Sequence, residues 1–233
     1  MAKPVIRFTK SDGSSFPDWE LRKMSDFLKE RNEKAPKSEE YPLMAFVANE
    51  GVAPKGDRYN RDFLVSDSDN KKYKKTEFGD FIYSSNNLET GSIGLNRYGS
   101  ASISPVYSIF KTKENSNHIF MGSFLTRKSF IHKMIRYRQG VVYGQWRIHE
   151  SHFLKIEDYI PCIEEQTKIA SILEMVELRI KKLDTKKNLL EEYKKGVLQN
   201  IFLRKIRFTK SDGSLFPDWE LRKMSDFLKE RNE

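Results

Sequence analysis

Between Glu164 and about Arg204 the chain carries no proline and one glycine, Gly196, and most of its residues are strong helix formers. Positions 169, 173, 176, 180, 183, 187, 190, 194, 197 and 201 step alternately by four and three. Eight of them are apolar: Ile169, Leu173, Val176, Ile180, Leu183, Leu190, Val197 and Ile201. A stripe repeating every 3.5 residues is the seam of a coiled coil, which predicts one helix of about 40 residues and roughly 60 Å in length. Lys187 and Lys194 interrupt the stripe, so either the register shifts there or their stems snorkel to the surface. The sequence offers no second helix of this length, and the simplest partner is the same helix of another copy, giving an antiparallel homodimer about a two-fold axis.

Upstream the pattern changes. From Lys34 to Pro161, short apolar runs are broken by turn residues, as in Pro42 to Ala48, Asp62 to Val65, Asp80 to Ser84 and Pro105 to Phe110, and these predict strands. Asn117 to Arg138 differs, with Phe120, Phe124, Ile131, Met134 and Ile135 at helical spacing behind an Asn117 cap. The expected fold class is α+β: one mixed α/β domain followed by a long coiled-coil helix.

An internal repeat sets the organisation. Ile6 to Glu33 recurs as Ile206 to Glu233 at an offset of 200 residues, with one difference, Ser15 against Leu215. A period this long excludes stacked solenoid repeats and marks a module boundary instead. Within the repeat, Phe16-Pro17-Asp18-Trp19 predicts a turn that fixes an aromatic anchor, then a short strand Glu20 to Met24 and a helical turn capped by Ser25.

Composition narrows the function. Hydrophobic residues at 38% and charged residues at 32%, with 16 Phe and 10 Tyr, are those of a folded domain rather than a disordered chain. No apolar run long enough to span a membrane and no secretory core near Met1 are present, so a cytoplasmic setting is expected. The single cysteine, Cys162, excludes an intrachain disulfide and any multi-cysteine zinc site. A net charge of +9 has the sign required by a phosphate-rich partner. The excess concentrates between Arg97 and Lys155, where ten Lys or Arg face two acids, Glu114 and Glu150.

The candidates for touching double-stranded DNA lie in loops between the strands. One group holds Lys55, Arg58, Tyr59, Asn60 and Arg61, a second Ser85, Asn86 and Asn87, and a third Asn96, Arg97 and Tyr98. A further cluster, Arg136, Arg138, Gln145 and Arg147, follows the predicted helix. Asn, Gln and Arg present paired donors and acceptors that match adenine and guanine edges, whereas Lys and Ser mostly hold phosphates.

Other chemistry finds little support. Phosphate-loop, dinucleotide and adenine-methyltransferase motifs are absent, and Gly91-Ser-Ile-Gly94 reads as a turn. Asp18 with Asp184 and Lys186, or with Glu192 and Lys194, imitates a nuclease set, but those partners fall on the long helix, away from Asp18. His149 and His152 lack the spacing and the third ligand of a zinc site. No metal or cofactor is expected. A stand-alone metal-dependent nuclease and a coiled-coil adaptor without DNA specificity remain the alternative readings.

Three stretches resemble specificity subunits of type I restriction-modification systems. The first is FPDWELRKMSDFLKERNEK with its Trp-x-x-Arg/Lys-Lys pattern, and the second is Thr90 to Lys111, a Gly-rich turn followed by a Ser-Pro-x-Tyr strand. The third runs from Ile160 and resembles the family's spacer helix, with a Pro-x-x-x-Glu-Gln opening and a Lys-Lys-Gly-x-x-Gln close. The resemblance implies a target recognition domain over 1–161, a spacer helix over 162–204 and the start of a second module over 205–233. It implies two recognition domains separated by two antiparallel helices, each domain reading half of a split target. This chain carries one of each, so a homodimer and an interrupted palindrome are expected. Methylation and restriction subunits would supply the S-adenosylmethionine and ATP chemistry, and this chain none of it.

Overall fold

The computed structural model describes residues 7–54, 72–140 and 146–231, and the chain forms two units, Met1–Val176 and Glu177–Glu233. The class is α+β, with a long helix after the mixed domain. The expected strand Asp62 to Val65 lies outside the described residues.

In the first unit a four-stranded antiparallel sheet runs in the order β2 (Leu28–Glu30), β10 (Ser108–Thr112), β7 (Phe81–Tyr83) and β8 (Ile93–Leu95). Successive strand residues point to opposite faces. Phe81, Tyr83 and Phe110 therefore enter the larger core, while Ile82 and Ile109 enter a smaller one with Phe46, Val52, Ala101 and Ile103. Both faces are covered, which explains why these runs read as continuously apolar.

The smaller core is closed by a three-stranded sheet, β3 (Lys34–Ala35), β6 (Tyr73–Thr76) and β9 (Ala101–Ile103), and by the hairpin of β4 (Ala45–Val47) and β5 (Gly51–Ala53). Gly51 has φ +90°, and a Cβ there would lie 2.6 Å from the Leu95 carbonyl oxygen, so no other residue fits without displacing backbone.

The helical stretch expected over Asn117 to Arg138 is two helices, α1 (His118–Leu125) and α2 (Lys128–Ile135). The Asn117 side chain caps the first, accepting from the Ile119 and Phe120 amides at 3.0 and 3.1 Å. Arg127 is extended and separates the helices; its guanidinium stacks 3.6 Å from the Phe124 ring centroid and meets Asp158 at 3.2 Å. No proline or glycine stands at this break.

The repeat's first copy forms β1 (Glu20–Lys23), antiparallel to β13 (Glu157–Ile160), followed by a 3-10 turn, Met24–Asp26. Lys23, not Ser25, occupies the cap position, and no side chain bonds there. The last described helices are α3 (Glu150–Leu154) and α4 (Ile163–Phe202), the latter 40 residues long.

The opening of α4 is fastened to the first unit. Glu165, 1% exposed, accepts from Arg7 at 2.8 and 3.3 Å, and this hydrogen bond holds the Arg7 pKa above its ordinary value. Gln166, fully buried, accepts from the Asn117 amide at 3.0 Å and donates to the Pro161 carbonyl at 2.9 Å. The Glu-Gln pair of the sequence motif is thus a docking device. Ile169, at the first position of the expected seam, is partly buried and packs on this same core.

In the second unit, residues 206–231 repeat the local structure of the first copy. Arg207 meets Asp218 at 2.7 Å and donates to the Phe216 and Pro217 carbonyls, Thr209 bridges Leu215, and Met224–Asp226 forms the 3-10 turn. No strand forms at 220–223.

Candidate nucleic-acid interface

Two groups of loop candidates that are remote in sequence come together. After β7 the chain turns through Ser84 to Ser92, held by Ser84 N–H to the Ser92 carbonyl at 2.8 Å and Ser92 N–H to the Asn87 carbonyl at 2.9 Å. Leu88, fully buried, plugs the turn, and Gly91 at φ +89° closes it against Asn49, where a Cβ would collide with the Asn49 amide.

Against this turn lies the hairpin of β11 (Gln139–Gly140) and β12 (Trp146–Arg147). Arg138 Nε donates to the Ser85 carbonyl at 3.0 Å, and its guanidinium lies 2.9 Å from the Glu89 carboxylate. The Ile148 amide donates to Ser85 Oγ at 3.0 Å and the Trp146 amide to Asn86 Oδ1 at 2.5 Å. Tyr83 completes the bracing from below, its hydroxyl donating to the Ile148 carbonyl at 3.3 Å.

These contacts sort the candidates. Ser85 and Arg138 are braces, the Arg138 side chain being 10% exposed. Asn86, Asn87, Arg136 and Arg147 are exposed and carry donors that face solvent. Tyr137 and Trp146 are exposed beside them, and sequence reasoning passed over both. The signal was present: each aromatic is flanked by basic or amide residues, as in Arg136-Tyr137-Arg138 and Gln145-Trp146-Arg147.

Asn96, Arg97 and Tyr98 are not part of this cluster. β7 and β8 are antiparallel, with Tyr83 opposite Ile93 and Phe81 opposite Leu95, so the turn after Leu95 lies at the other end of the strand pair. Asn96 is fully buried and corrects the expectation of base contact. Its Nδ2 donates to Thr76 Oγ1 at 3.2 Å and the Gly99 carbonyl at 2.7 Å, and its Oδ1 accepts from the Tyr98 and Gly99 amides. Arg97 and Tyr98 are exposed on the turn that it braces. Lys55, Arg58, Tyr59, Asn60, Arg61 and Gln145 lie outside the described residues.

One buried acid anchors the hairpin's exit. Glu150 accepts from Ser108 Oγ at 2.9 Å and lies 3.8 Å from Lys74 Nζ and 3.5 Å from Arg147. Burial raises its pKa, but its own amide, Ser108, Lys74 and Arg147 outweigh that and hold the carboxyl below its ordinary value. Arg147 is thereby aimed while its side chain stays 56% exposed.

Among the described residues no group of three or more His, Cys, Asp or Glu could hold a metal ion, and Asp18 is engaged by Arg7 at 3.2 Å. Burial pushes the Cys162 thiol up, away from the thiolate a nucleophile needs. No described helix is long and apolar enough to cross a membrane.

On α4 the seam residues divide by exposure. Val176, Ile180, Leu183 and Leu190 are each more than half exposed, whereas Leu173, Val197 and Ile201 are partly covered. Off this spacing, Met175, Leu178, Leu189 and Tyr193 are exposed as well.

Comparison with known proteins identifies the family of the chain. Residues 17–192 match the family model of the type I restriction modification DNA specificity domain. The type I restriction enzyme MjaVIII specificity subunit of Methanocaldococcus jannaschii is 26% identical over 235 aligned residues, covering 95% of this chain and 52% of that protein. The chain thus spans about half the length of this relative. Among solved structures, the HsdS subunit from Thermoanaerobacter tengcongensis is 13% identical at a TM-score of 0.43, covering 72% of this chain and 39% of that one. The type I S subunit from M. genitalium is 14% identical at a TM-score of 0.42, covering 81% and 44%. With the family model matching most of its length, the chain belongs to the type I restriction modification DNA specificity domain family.

Proposed function

We propose that the chain is a noncatalytic DNA reader of a type I restriction-modification complex, each copy reading half of a split target. It acts as an antiparallel homodimer through α4, docks methylation and restriction subunits, and works in the cytoplasm. The recognition domain is 1–161, the spacer helix 162–204, and 205–233 the start of a second module.

The observation that carries this reading is the meeting of the Ser85 to Asn87 turn with the Arg136 to Arg147 hairpin. It presents amide, guanidinium and aromatic side chains on hydrogen-bonded backbone, with Arg136, Arg138 and Arg147 drawn from the most basic stretch of the chain. Amides and guanidinium groups discriminate base edges, and positive charge supplies the salt-sensitive remainder. The exposed α4 stripe supports a partner helix, and the family membership supports the complex.

The test is selection of bound duplexes from a random pool by the chain, followed by anisotropy titrations at several salt concentrations. One interrupted palindrome should be enriched, with affinity falling steeply as salt rises. Equal affinity for every duplex would replace this reading with that of a coiled-coil adaptor.

A further inference from the structure

The two copies of the repeat share sequence and local turns but not surroundings. In the first, Met24, Phe27 and Leu28 are 0%, 4% and 1% exposed. In the second, Met224, Phe227 and Leu228 are 72%, 67% and 66% exposed, and Phe216, Trp219 and Leu221 are open as well. Such a dense apolar face is rare on a solvated surface and marks a place where protein docks.

The first copy shows what this surface fits. Its seat in the first unit has three parts. The edge of β13 pairs with Glu20–Lys23, the Ile156 carbonyl accepts from the Met24 amide at 2.9 Å, and the buried Glu165 carboxylate accepts from Arg7. Each element that engages the seat has a counterpart in the second copy: Glu220 to Lys223, the Met224 amide, Arg207 and the apolar trio. Arg207 is already held in the Arg7 conformation by Asp218, Phe216 and Pro217, so the segment is preorganised for the same docking.

We propose that residues 206–231 are a second docking segment for this seat and that their occupant is a second copy of the chain, an exchange of identical segments between partners. The inference rests on the antiparallel dimer of the preceding section. In an antiparallel pair, the last turn of one α4 lies beside the first turn of the other, where Glu165 and β13 form the seat. The two segments of the dimer then compete for each seat with near-identical contacts, and a covalent trap collects the exchanged form even when the resident segment holds the larger share.

The trap follows from the register of β1 on β13, in which Leu21 faces Tyr159. The full chain carrying Leu221→Cys and Tyr159→Cys in a Cys162→Ser background should, on mild oxidation, form a disulfide-linked dimer that runs at doubled mass on a non-reducing gel. Antiparallel neighbours lie at about 4.5–5.5 Å between Cα atoms, within disulfide range. Peptide mapping should find the 159–221 bond between chains. Adding Phe227→Ser, an exposed position in the second copy, should abolish the bond without loss of helical signal, and adding Phe27→Ser should increase its yield. Sedimentation of the reduced protein separates the two claims: a monomer overturns the dimer reading and the exchange with it. A dimer lacking the 159–221 bond, or carrying it only within one chain, overturns the exchange alone.

Discussion

Phe153 is the side chain on which the core of the first unit turns. It is fully buried on α3, and its ring centroid lies 4.6 Å from Phe110, 5.2 Å from Tyr83, 5.8 Å from Phe81 and 6.3 Å from Phe130. Truncation of a buried Phe to Ala costs about 3–5 kcal/mol, more where surrounding rings cannot collapse into the space. Four aromatic neighbours drawn from β7, β10 and α2 cannot all move inward, so Phe153→Ala should fall in the upper half of that range, about 4–5 kcal/mol. At about 2–4 °C per kcal/mol for a unit of this size, the melting temperature should drop by roughly 8–20 °C. Urea unfolding followed by far-ultraviolet circular dichroism reads the change as a shift in midpoint at constant slope. Phe153→Leu, which keeps most of the volume, should cost less than about 2 kcal/mol. A loss below about 1 kcal/mol for Phe153→Ala would refute the argument that this ring organises the core beneath the hairpin.

Further outcomes follow from other parts of the structure. Glu150→Gln should cost about 1–3 kcal/mol at neutral pH by weakening a buried carboxylate's bonds to Ser108, Lys74 and Arg147. Because the folded carboxyl titrates below its ordinary value, its stabilisation is present above about pH 4.3 and is lost as pH falls through the folded pKa. The gap between wild type and variant should therefore close in acid, as thermal melts across pH will read. Gly51→Ala should lose about 2–4 kcal/mol, from the positive φ and the approach of the Leu95 carbonyl, measured by the same denaturation. Arg136→Ala should leave stability within about 0.5 kcal/mol and lower the log–log salt slope of DNA binding by about 0.9 if it holds one phosphate; an unchanged slope removes it from the interface. Replacing Leu173, Val176, Ile180 and Leu183 with Gln should give monomers by sedimentation, and a surviving dimer would show that the seam is misassigned.

Helix α4 was legible because helix propensity and a 3.5-residue stripe are local properties, and the Asn117 cap because its bonds close within three residues. The candidate site was legible only as separate pieces. Ser85 and Arg138 are 53 positions apart, and nothing in their neighbours announces that the one's carbonyl receives the other's guanidinium. Asn96 was misplaced for a related reason: an Asn in a turn reads the same whether its amide faces solvent or ties its own loop to Thr76. Ile169 shares the seam's spacing, and the spacing does not reveal that it also packs on the core where α4 begins.

The repeat separates the two kinds of information most cleanly. In both copies the sequence alone determines the Asp–Ser turn, the Arg7–Asp18 or Arg207–Asp218 pair and the 3-10 turn, because every partner lies within about a dozen residues. Whether Glu-Leu-Arg-Lys becomes a strand, and whether Met, Phe and Leu are buried, differs between them. A strand needs the hydrogen-bonding edge of another strand, and an apolar side chain needs a core to enter, and both are supplied by residues remote in the chain. Residues 20–28 find β13 and the aromatic core, while 220–228 carry the same letters without that surface, so for this segment the tertiary structure decided what the sequence left open.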